Sequence, residues 1–381
     1  MPARYYLKIM NPDGTNPQYI SPNQVTPGAN DPTKSGIIDL AYNNQVNDIG
    51  VCKFILTGNH AVLPTLVNNA QVEVWRMHYD PLSGTVDVPW YRSWSGLFKD
   101  EYRYYSGGES LFEATCYSDM WWLQDSYVEW YAGTTNRSQF TGVAAETVEK
   151  TIVDYNCCAN ATAANSRLRD HVITGLSIET SGGHGNTIDW ACAYGNVLDE
   201  LKKLWPVAGG DYDLVKTGLQ TWQFRWYTGQ RGTDRSASVL FSLDNGNMSN
   251  PQYRYTRSAE KTVTVVGGQA NGTARAIVIR TGPNYNVSTN NVETFTQANM
   301  ATTTATLNAV GDSDLVSKRA PETLDFGVLQ TPACQVDLHY YLGDYVTGRY
   351  NASISKKIKI ISTAFAFRQG QETVAVGLLN V

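Results

Sequence analysis

The period of the apolar positions changes twice along the chain, and the changes divide it into three parts. Up to about residue 140 the apolar runs are short, β-branched and aromatic, and are broken by Asn, Gly and Pro, which predicts strands. The runs are Ile37-Ile38-Asp39-Leu40, Val51 to Leu56, Ala70 to Tyr79, Val88 to Phe98 and Ser110 to Tyr117. In Val72-Glu73-Val74 the period of two puts the valines on one face, as a half-buried strand requires. Tyr102, Tyr104 and Tyr105 fall in a polar, turn-rich link between two of these runs.

From 141 to 215 the period lengthens. Thr141 can cap a helix running to about Asp154, with Ala144, Ala145, Val148 and Ile152 on one side. A polar, alanine-rich stretch reaches about Arg169. Asn196 then offers a second N-cap, ahead of the stripe Val197, Leu198, Leu201, Leu204 and Trp205, with Pro206 and Gly209-Gly210 as its stop.

Beyond 216 strand patterns return, in Trp222-Phe224-Trp226 and again in Val263 and Val265. Ala274 to Arg280 is apolar on both faces, which predicts a central strand. Residues 291–309 read as a helix weakened by Thr302 to Thr304. From Gly343 the pattern is strand, turn, long strand, turn, strand, ending at Leu379. No period of 20–50 residues repeats, so solenoids and propellers are not expected. The expected class is β-rich α+β, with an N-terminal β domain over 1–140, an α/β segment over 141–215 and a C-terminal β-rich domain over 216–381.

Composition narrows the functions. The 381 residues are 42% hydrophobic and 17% charged, enough for a sizeable core. A net charge of −5 argues against a nucleic-acid reader, which would show a basic domain or stripe. Lys356-Lys357-Ile358-Lys359 reads as a solvated strand face. No apolar run approaches the ~18 residues of a membrane span, and Met1 to Met10 lacks a secretory apolar core. The expectation is a soluble chain made in the cytosol that inserts in no membrane. Cys52, Cys116, Cys157, Cys158, Cys192 and Cys334 have neither metal-ligand spacing nor the density of a disulfide framework, and read as buried thiols. N-x-[ST] triplets at Asn136, Asn160, Asn247, Asn271, Asn286 and Asn351 carry no weight without a secretory signal.

Catalytic patterns are missing: no phosphate loop, no H-E-x-x-H, no G-x-S-x-G. Gly182 to Gly185 and Gly267-Gly268 read as turns. His60, His78, His171, His184 and His339 are far apart, and His339 looks like a structural histidine on a strand. Asp100-Glu101 and Asp199-Glu200 are adjacent pairs, so neither is preset to face one substrate. No catalytic residue, metal or cofactor is expected. The aromatic residues are the unusual feature, with Trp90, Trp94, Trp121, Trp122 and Trp130-Tyr131 in the first third. A sugar-stacking platform, a subunit interface and plain core filling all remain open for them.

A succession of short features spans almost the whole length: Asn47 to Gly50, Trp94-Ser95-Gly96, Phe112 to Asp119, and Asn196 to Leu201. Gly232-Thr233-Asp234-Arg235, Phe241-Ser242 with Gly246-Asn247, and Val266-Gly267-Gly268 with Arg275 follow, then Tyr341-Leu342-Gly343-Asp344-Tyr345-Val346-Thr347 and the final meander. In this order the features resemble the siphophage tail-hub family, related to the baseplate hub of contractile phages. The Leu-Gly-Asp-Tyr-Val-Thr turn before Ile358 to Phe367 is the most specific of them. The Cys157-Cys158 pair and its alanine-rich neighbour depart from the family pattern, and the sequence stops at Val381, short of the tip or lytic extension of some members.

The resemblance implies a homotrimeric ring in the virion tail tip, with two barrel-like β domains per subunit. Such a ring would adapt a sixfold tube to a threefold tip and form or close the channel through which DNA passes transiently. The implied partners are copies of the chain itself, the distal tail or tube protein, the tape measure protein, and tip or fibre proteins. Gly232, Asp234, Arg235, Gly267, Gly268, Gly343 and Asp344 would be structural motif positions. A receptor-binding module and a peptidoglycan-degrading enzyme are the alternatives.

Overall fold

The computed structural model describes residues 3–21, 36–79, 83–130, 137–269, 271–299, 301, 303–320, 322–368 and 370–381. Tyr131, Asn136 and Thr302 lie outside them. The first third supplies β1 (Ala3–Met10), β2 (Gln18–Ile20), β3 (Asp39–Gln45), β4 (Val51–Thr57), β5 (Gln71–Tyr79), β6 (Val86–Ser106) and β7 (Glu109–Ser118). The turn-rich link expected at Tyr102 to Tyr105 is instead the outer half of β6. Its turn is the pair Gly107-Gly108, where positive φ values of 60° and 85° suit a tight hairpin.

The middle of the chain supplies α1 (Trp121–Gln124), β8 (Ser138–Ala144), α2 (Ala145–Cys157), β9 (Leu176–Ile178), β10 (Thr187–Cys192), α3 (Val197–Ala208), β11 (Gly210–Gly218) and β12 (Thr221–Thr228). Thr141 does not cap a helix. It lies in β8, paired to β10, and α2 begins after Ala144 without a side-chain cap. Asn196 does cap α3, its Oδ1 accepting from the Asp199 amide at 3.2 Å. Pro206 lies inside the last turn, and the stop is Gly209 at φ +77°. The Asn186 amide and side chain donate to the carbonyls of Ala208 and Val207 at the helix end.

The last part supplies β13 (Leu240–Ser242), β14 (Met248–Tyr255), β15 (Val263–Gly267), β16 (Ile277–Thr281), β17 (Glu293–Gln297), α4 (Thr304–Ser317), β18 (Glu322–Val328), β19 (Tyr345–Asn351), β20 (Ile354–Arg368) and β21 (Gln371–Asn380). The helix expected over 291–309 divides into strand β17 and the start of α4, because the first apolar–polar alternation pairs with β15. Thr303 caps α4 by accepting from the Thr306 amide. β16 is an edge strand rather than a central one, and Ile277 and Ile279 face outward. His339 sits in a turn, its ring accepting from the Gln335 amide.

The largest sheet runs in the order β13-β19-β20-β3-β4-β7-β6-β5-β1-β2, with β21 on the other side of β20. Strands from both ends of the sequence therefore share one ladder, through β3 against β20. Among the described residues hydrogen bonding closes no barrel: β2 and β13 end the path, each with only three residues with which to pair, and β21 is a further edge. The sheet nevertheless folds around one core, in which Tyr5 and Ile20 share a cluster with Phe241, Tyr340 and Phe365. A second core draws on residues from Met120 to Trp226, on both sides of the 141–215 span, and packs α2 and α3 on β11, β12 and β9. A third, small one lies between β15 and α4.

A charged knot spans the interior of the large sheet. Arg76 on β5 is buried and donates to Glu372 on β21 at 2.7 Å, to the hydroxyls of Tyr5 and Tyr91 at 2.9 Å, and to Asp337 at 3.3 Å. His78 contacts the same guanidinium. Burial, and then the Arg76 charge, push its pKa down to about 3. The unfolded chain protonates this ring near its ordinary 6.5, so acidification from 6.5 toward 3 favours unfolding, and the contribution is complete only above that window. Urea melts at stepped pH are expected to show stability falling across it, with a flatter slope in His78→Gln. An equal slope in that variant would assign the acid sensitivity elsewhere.

Candidate functional site: a buried polar junction

The residues expected to carry the motif meet where the chain passes from β12 to β13. Gly343, at φ +89°, turns the backbone so that the buried Asp344 points inward. Its carboxylate accepts from the Thr233 amide at 2.6 Å, and from Arg235 Nε and the Tyr341 amide at 2.8 Å each. The Arg235 guanidinium also covers the Tyr341 ring at 5.2 Å. Gly232 passes so close beneath this turn that a Cβ there would lie 2.3 Å from the Asp344 nitrogen. Asp234 faces solvent, accepting from Lys357 Nζ at 2.6 Å. The Arg235 amide and the Tyr345 amide complete a short parallel bridge between the segment and β19.

One residue before Gly232 a second carboxylate takes hold. Asp211 on β11 is fully buried. It accepts from the Arg231 amide at 2.7 Å, Asn47 Nδ2 at 3.0 Å, Trp205 Nε1 at 3.1 Å, and Lys359 Nζ at 2.6 and 2.8 Å. Asn47, at φ +57° in the β3–β4 turn, returns the contact by accepting from the Tyr212 amide at 2.8 Å. Asp211 and Asp344 therefore clamp residues 231–235 from two sides and tie β11, α3, the β3–β4 turn, β19 and β20 together.

A third buried pair seals the far end of the same contact: Lys216 on β11 donates to Glu73 on β5 at 2.8 Å, with Trp75 Nε1 at 2.9 Å. Burial pushes the Glu73 carboxyl up, but Lys216 and its other donors outweigh this and hold it below the usual range. With Lys216, Lys8 and Arg92 around it Glu73 is buried, and β5 is not the half-buried strand its alternation implies.

Of the seven motif positions, Gly232, Asp234, Arg235, Gly343 and Asp344 converge here. Gly267 and Gly268 lie at the end of β15, where Arg275 donates to both carbonyls. Lys359 corrects the solvated-face reading. Both faces of β20 are covered at Ile358, Lys359 and Ile360, so its ammonium is buried on Asp211. Nothing in the local pattern marked Asp211 or a buried role for Glu73, and Asn47 was marked only as part of the Asn47 to Gly50 feature; three apolar residues around Lys359 were a further hint.

Trp90, Trp94, Trp121 and Trp122 have four different surroundings. Trp90 packs on Tyr6 at 4.8 Å, Trp94 is buried, Trp121 stacks on Tyr117 at 4.2 Å and donates to Asp125, and Trp122 meets Trp222 edge-on in the second core. The paired carboxylates separate as well, with Glu101 near Arg103 and Glu200 on Lys203. Among the described residues no group of three His, Cys, Asp or Glu could hold a metal, and no helix is long and apolar enough to cross a membrane. All six cysteines are buried free thiols. Through its paired carboxylates the junction joins β11, α3, the β3–β4 turn, β19 and β20.

Residues 92–368 match the model of the Siphovirus ReqiPepy6 Gp37-like protein family, well over half of the sequence. The chain belongs to that family. This Gp37-like chain also shares its fold with solved tail proteins. A tail protein of Neisseria meningitidis MC58 matches over 100% of this chain and 97% of its own at 10% identity, with a TM-score of 0.56. The 43 kDa tail protein of prophage MuSo2 from Shewanella oneidensis matches over 99% and 97% at 11% identity, with a TM-score of 0.57. A chain of the Francisella PdpA–VgrG complex covers all of this one at 9% identity and a TM-score of 0.51, which accounts for 58% of that chain. No curated protein matches the sequence. The matched family region begins within β6 and includes the whole 231–235 segment and the Asp344 turn.

Removing one member of a buried ion pair costs about 3–5 kcal/mol, because the other charge stays in the interior. Asp211→Asn is expected to lose about that much stability in denaturant titrations, and adding Lys359→Met to recover part of it. Strictly additive losses would show that the two groups are not coupled. Gly232→Ala is expected to cost ~1–3 kcal/mol, as overpacking against fixed backbone does.

Proposed function

We propose that the chain is the hub subunit at the distal end of a long non-contractile phage tail. On this reading three copies form a closed ring. Two barrel-like regions per subunit give the ring pseudo-sixfold symmetry on the tube side and threefold symmetry at the tip. The observation that carries the reading is the end-to-end likeness to tail proteins, in which almost the whole of both chains superposes. The junction supports it, since a ring under load needs its parts held at fixed angles. The ring's neighbours would be the distal tail or tube protein, the tape measure protein, and tip or fibre proteins, with DNA passing through once. A head-to-tail contact must close or it grows filaments, and permanent rings of this kind bury ~2,000–5,000 Å² per interface. The net charge of −5 would suit a channel wall to which DNA does not adhere. No hydrolytic role is proposed.

A second reading has one observation in its favour. Tyr102 and Tyr104 stack at 5.0 Å on the outer half of the β6–β7 hairpin, and Tyr105 is 80% exposed. Such a tip could contact a surface sugar, and glycan-array binding that is abolished in Tyr102→Ala/Tyr105→Ala would favour a receptor role.

Light scattering of the purified chain is expected to give about three times 42.1 kDa, and class averages of virions a threefold collar at the tail tip containing it. A monomer at every concentration, together with particles that carry the chain singly, would overturn the hub reading.

A further inference from the structure

An asparagine followed by glycine is open to attack on its side-chain carbonyl by the next backbone nitrogen, because glycine has no Cβ to block the approach. The sequence holds two such pairs, Asn245-Gly246 and Asn271-Gly272. The fold treats them in opposite ways.

Asn245 lies in the turn after β13. Its Nδ2 donates to the Leu240 carbonyl at 3.1 Å, and the Gly246 amide donates to the Leu243 carbonyl at 3.0 Å. The Asn245 amide donates to Ser242 Oγ at 3.1 Å, and Asn247 Nδ2 closes the same turn on the Leu240 carbonyl at 2.9 Å. Both groups that would react, the carboxamide and the attacking nitrogen, are therefore engaged.

Asn271 lies between β15 and β16, just before the short turn Gly272–Ala274. Its backbone is extended, with φ −131° and ψ 161°, and its side chain caps nothing. Both residues of the pair are exposed. Among the described residues no hydrogen bond engages the Asn271 carboxamide or the Gly272 amide. Gly272 has φ +60°, and a Cβ built there would meet nothing within 4 Å, so the space that a tetrahedral intermediate needs is open.

We propose that Asn271 is a site of spontaneous deamidation in the folded chain, and that the turn at Asn245 shields the second pair. The Gly272 nitrogen bonds to Asn271 Cγ and gives up its proton. The Cγ–Nδ2 bond then breaks, ammonia leaves with that proton, and a cyclic imide remains. Water opens the ring at either carbonyl, leaving aspartate or, with the main chain rerouted through the side chain, isoaspartate. Either product adds a negative charge, and isoaspartate also lengthens the main chain by one carbon immediately before the turn. That turn positions Arg275. Its amide donates to the Gly272 carbonyl at 3.2 Å, and its guanidinium donates to the Gly268 carbonyl at 3.0 Å and covers the Phe295 ring at 5.2 Å. The change therefore falls beside the clip that closes the end of β15. It does not depend on the hub reading.

The test holds the full folded chain at mildly alkaline pH in heavy-oxygen water, digests it with trypsin in ordinary water, and follows label by mass spectrometry. The 262–275 peptide is expected to take up label at Asn271 and to become a substrate for an isoaspartyl methyltransferase. At Asn245, in the 236–254 peptide, uptake is expected to be roughly tenfold slower or more, because two hydrogen bonds must open first. In urea the two rates are expected to converge. Asn271→Gln, whose longer side chain closes a ring less readily, is expected to lose the first signal and keep the second unchanged. No uptake at Asn271 in the folded chain would overturn the proposal, and so would equal uptake at both asparagines.

Discussion

Asp211 is the point at which the molecule acquires a single shape. A carboxylate offers about four lone-pair sites, and here donors from four separate segments fill them: the Arg231 amide, Asn47, Trp205 and Lys359. Taking an isolated charge into a protein interior costs several kcal/mol, so the arrangement is stable only when every donor arrives together. Apolar contacts between the large sheet and the middle region would tolerate a small rotation or slip. A buried carboxylate with directional donors does not, which makes this contact a register pin more than a source of net stability.

Asp344 and Glu73 extend the same logic to the two ends of the contact. Asp344 fixes where the chain leaves the middle region for β13, and Glu73 fixes how β11 lies over β5. With three pins the second core cannot pivot on the first. The Arg76 knot does a related job inside the large sheet. The ladder stays open at β2 and β13, and it is the Arg76 guanidinium that joins β5 to β21 across the interior. An open sheet held by a charged cross-tie can keep the curvature of a barrel without hydrogen-bonded closure.

What could be read from the sequence was what depends on neighbours along the chain. The alternation of Trp222, Phe224 and Trp226 gave a strand with all three buried, and Asn196 gave a helix start. The final meander from Gly343 formed much as its turns imply. What failed depends on neighbours in space. Lys359 looked solvated because its own strand cannot reveal that β11 will present Asp211 to it. Glu73 looked like the polar side of a half-buried strand because its cover comes from residues far away in the sequence. Thr141 offered a good cap, but pairing of β8 with β10 outweighed the roughly 1 kcal/mol that a cap supplies. The motif positions were named only through the family resemblance; five of the seven meet at one turn, where Gly232 and Gly343 allow a close backbone approach, and Gly267 and Gly268 lie elsewhere. Their purpose was not legible, because Asp211 lies outside the motif.

The tryptophans and the small sheet together show where apolar surface remains available for assembly. Trp94, Trp222 and Trp226 are spent on the two large cores, so the aromatic excess is mostly internal. The small sheet is the opposite case: its own core of fully buried apolar residues is Val266, Ala301 and Leu307, while Ile277, Ile279 and Phe295 point away from it. A unit with so little interior gains more from being covered than the large sheet does, and its largest side chains are already placed on the face that a neighbour would reach. Within the subunit it is attached through α4 against β10 and α3, with Asp189 accepting from the Thr303 amide at 2.7 Å and Ser313 donating to the Pro206 carbonyl at 3.2 Å. The unit is therefore anchored on the middle region, with part of its apolar surface on the face away from α4.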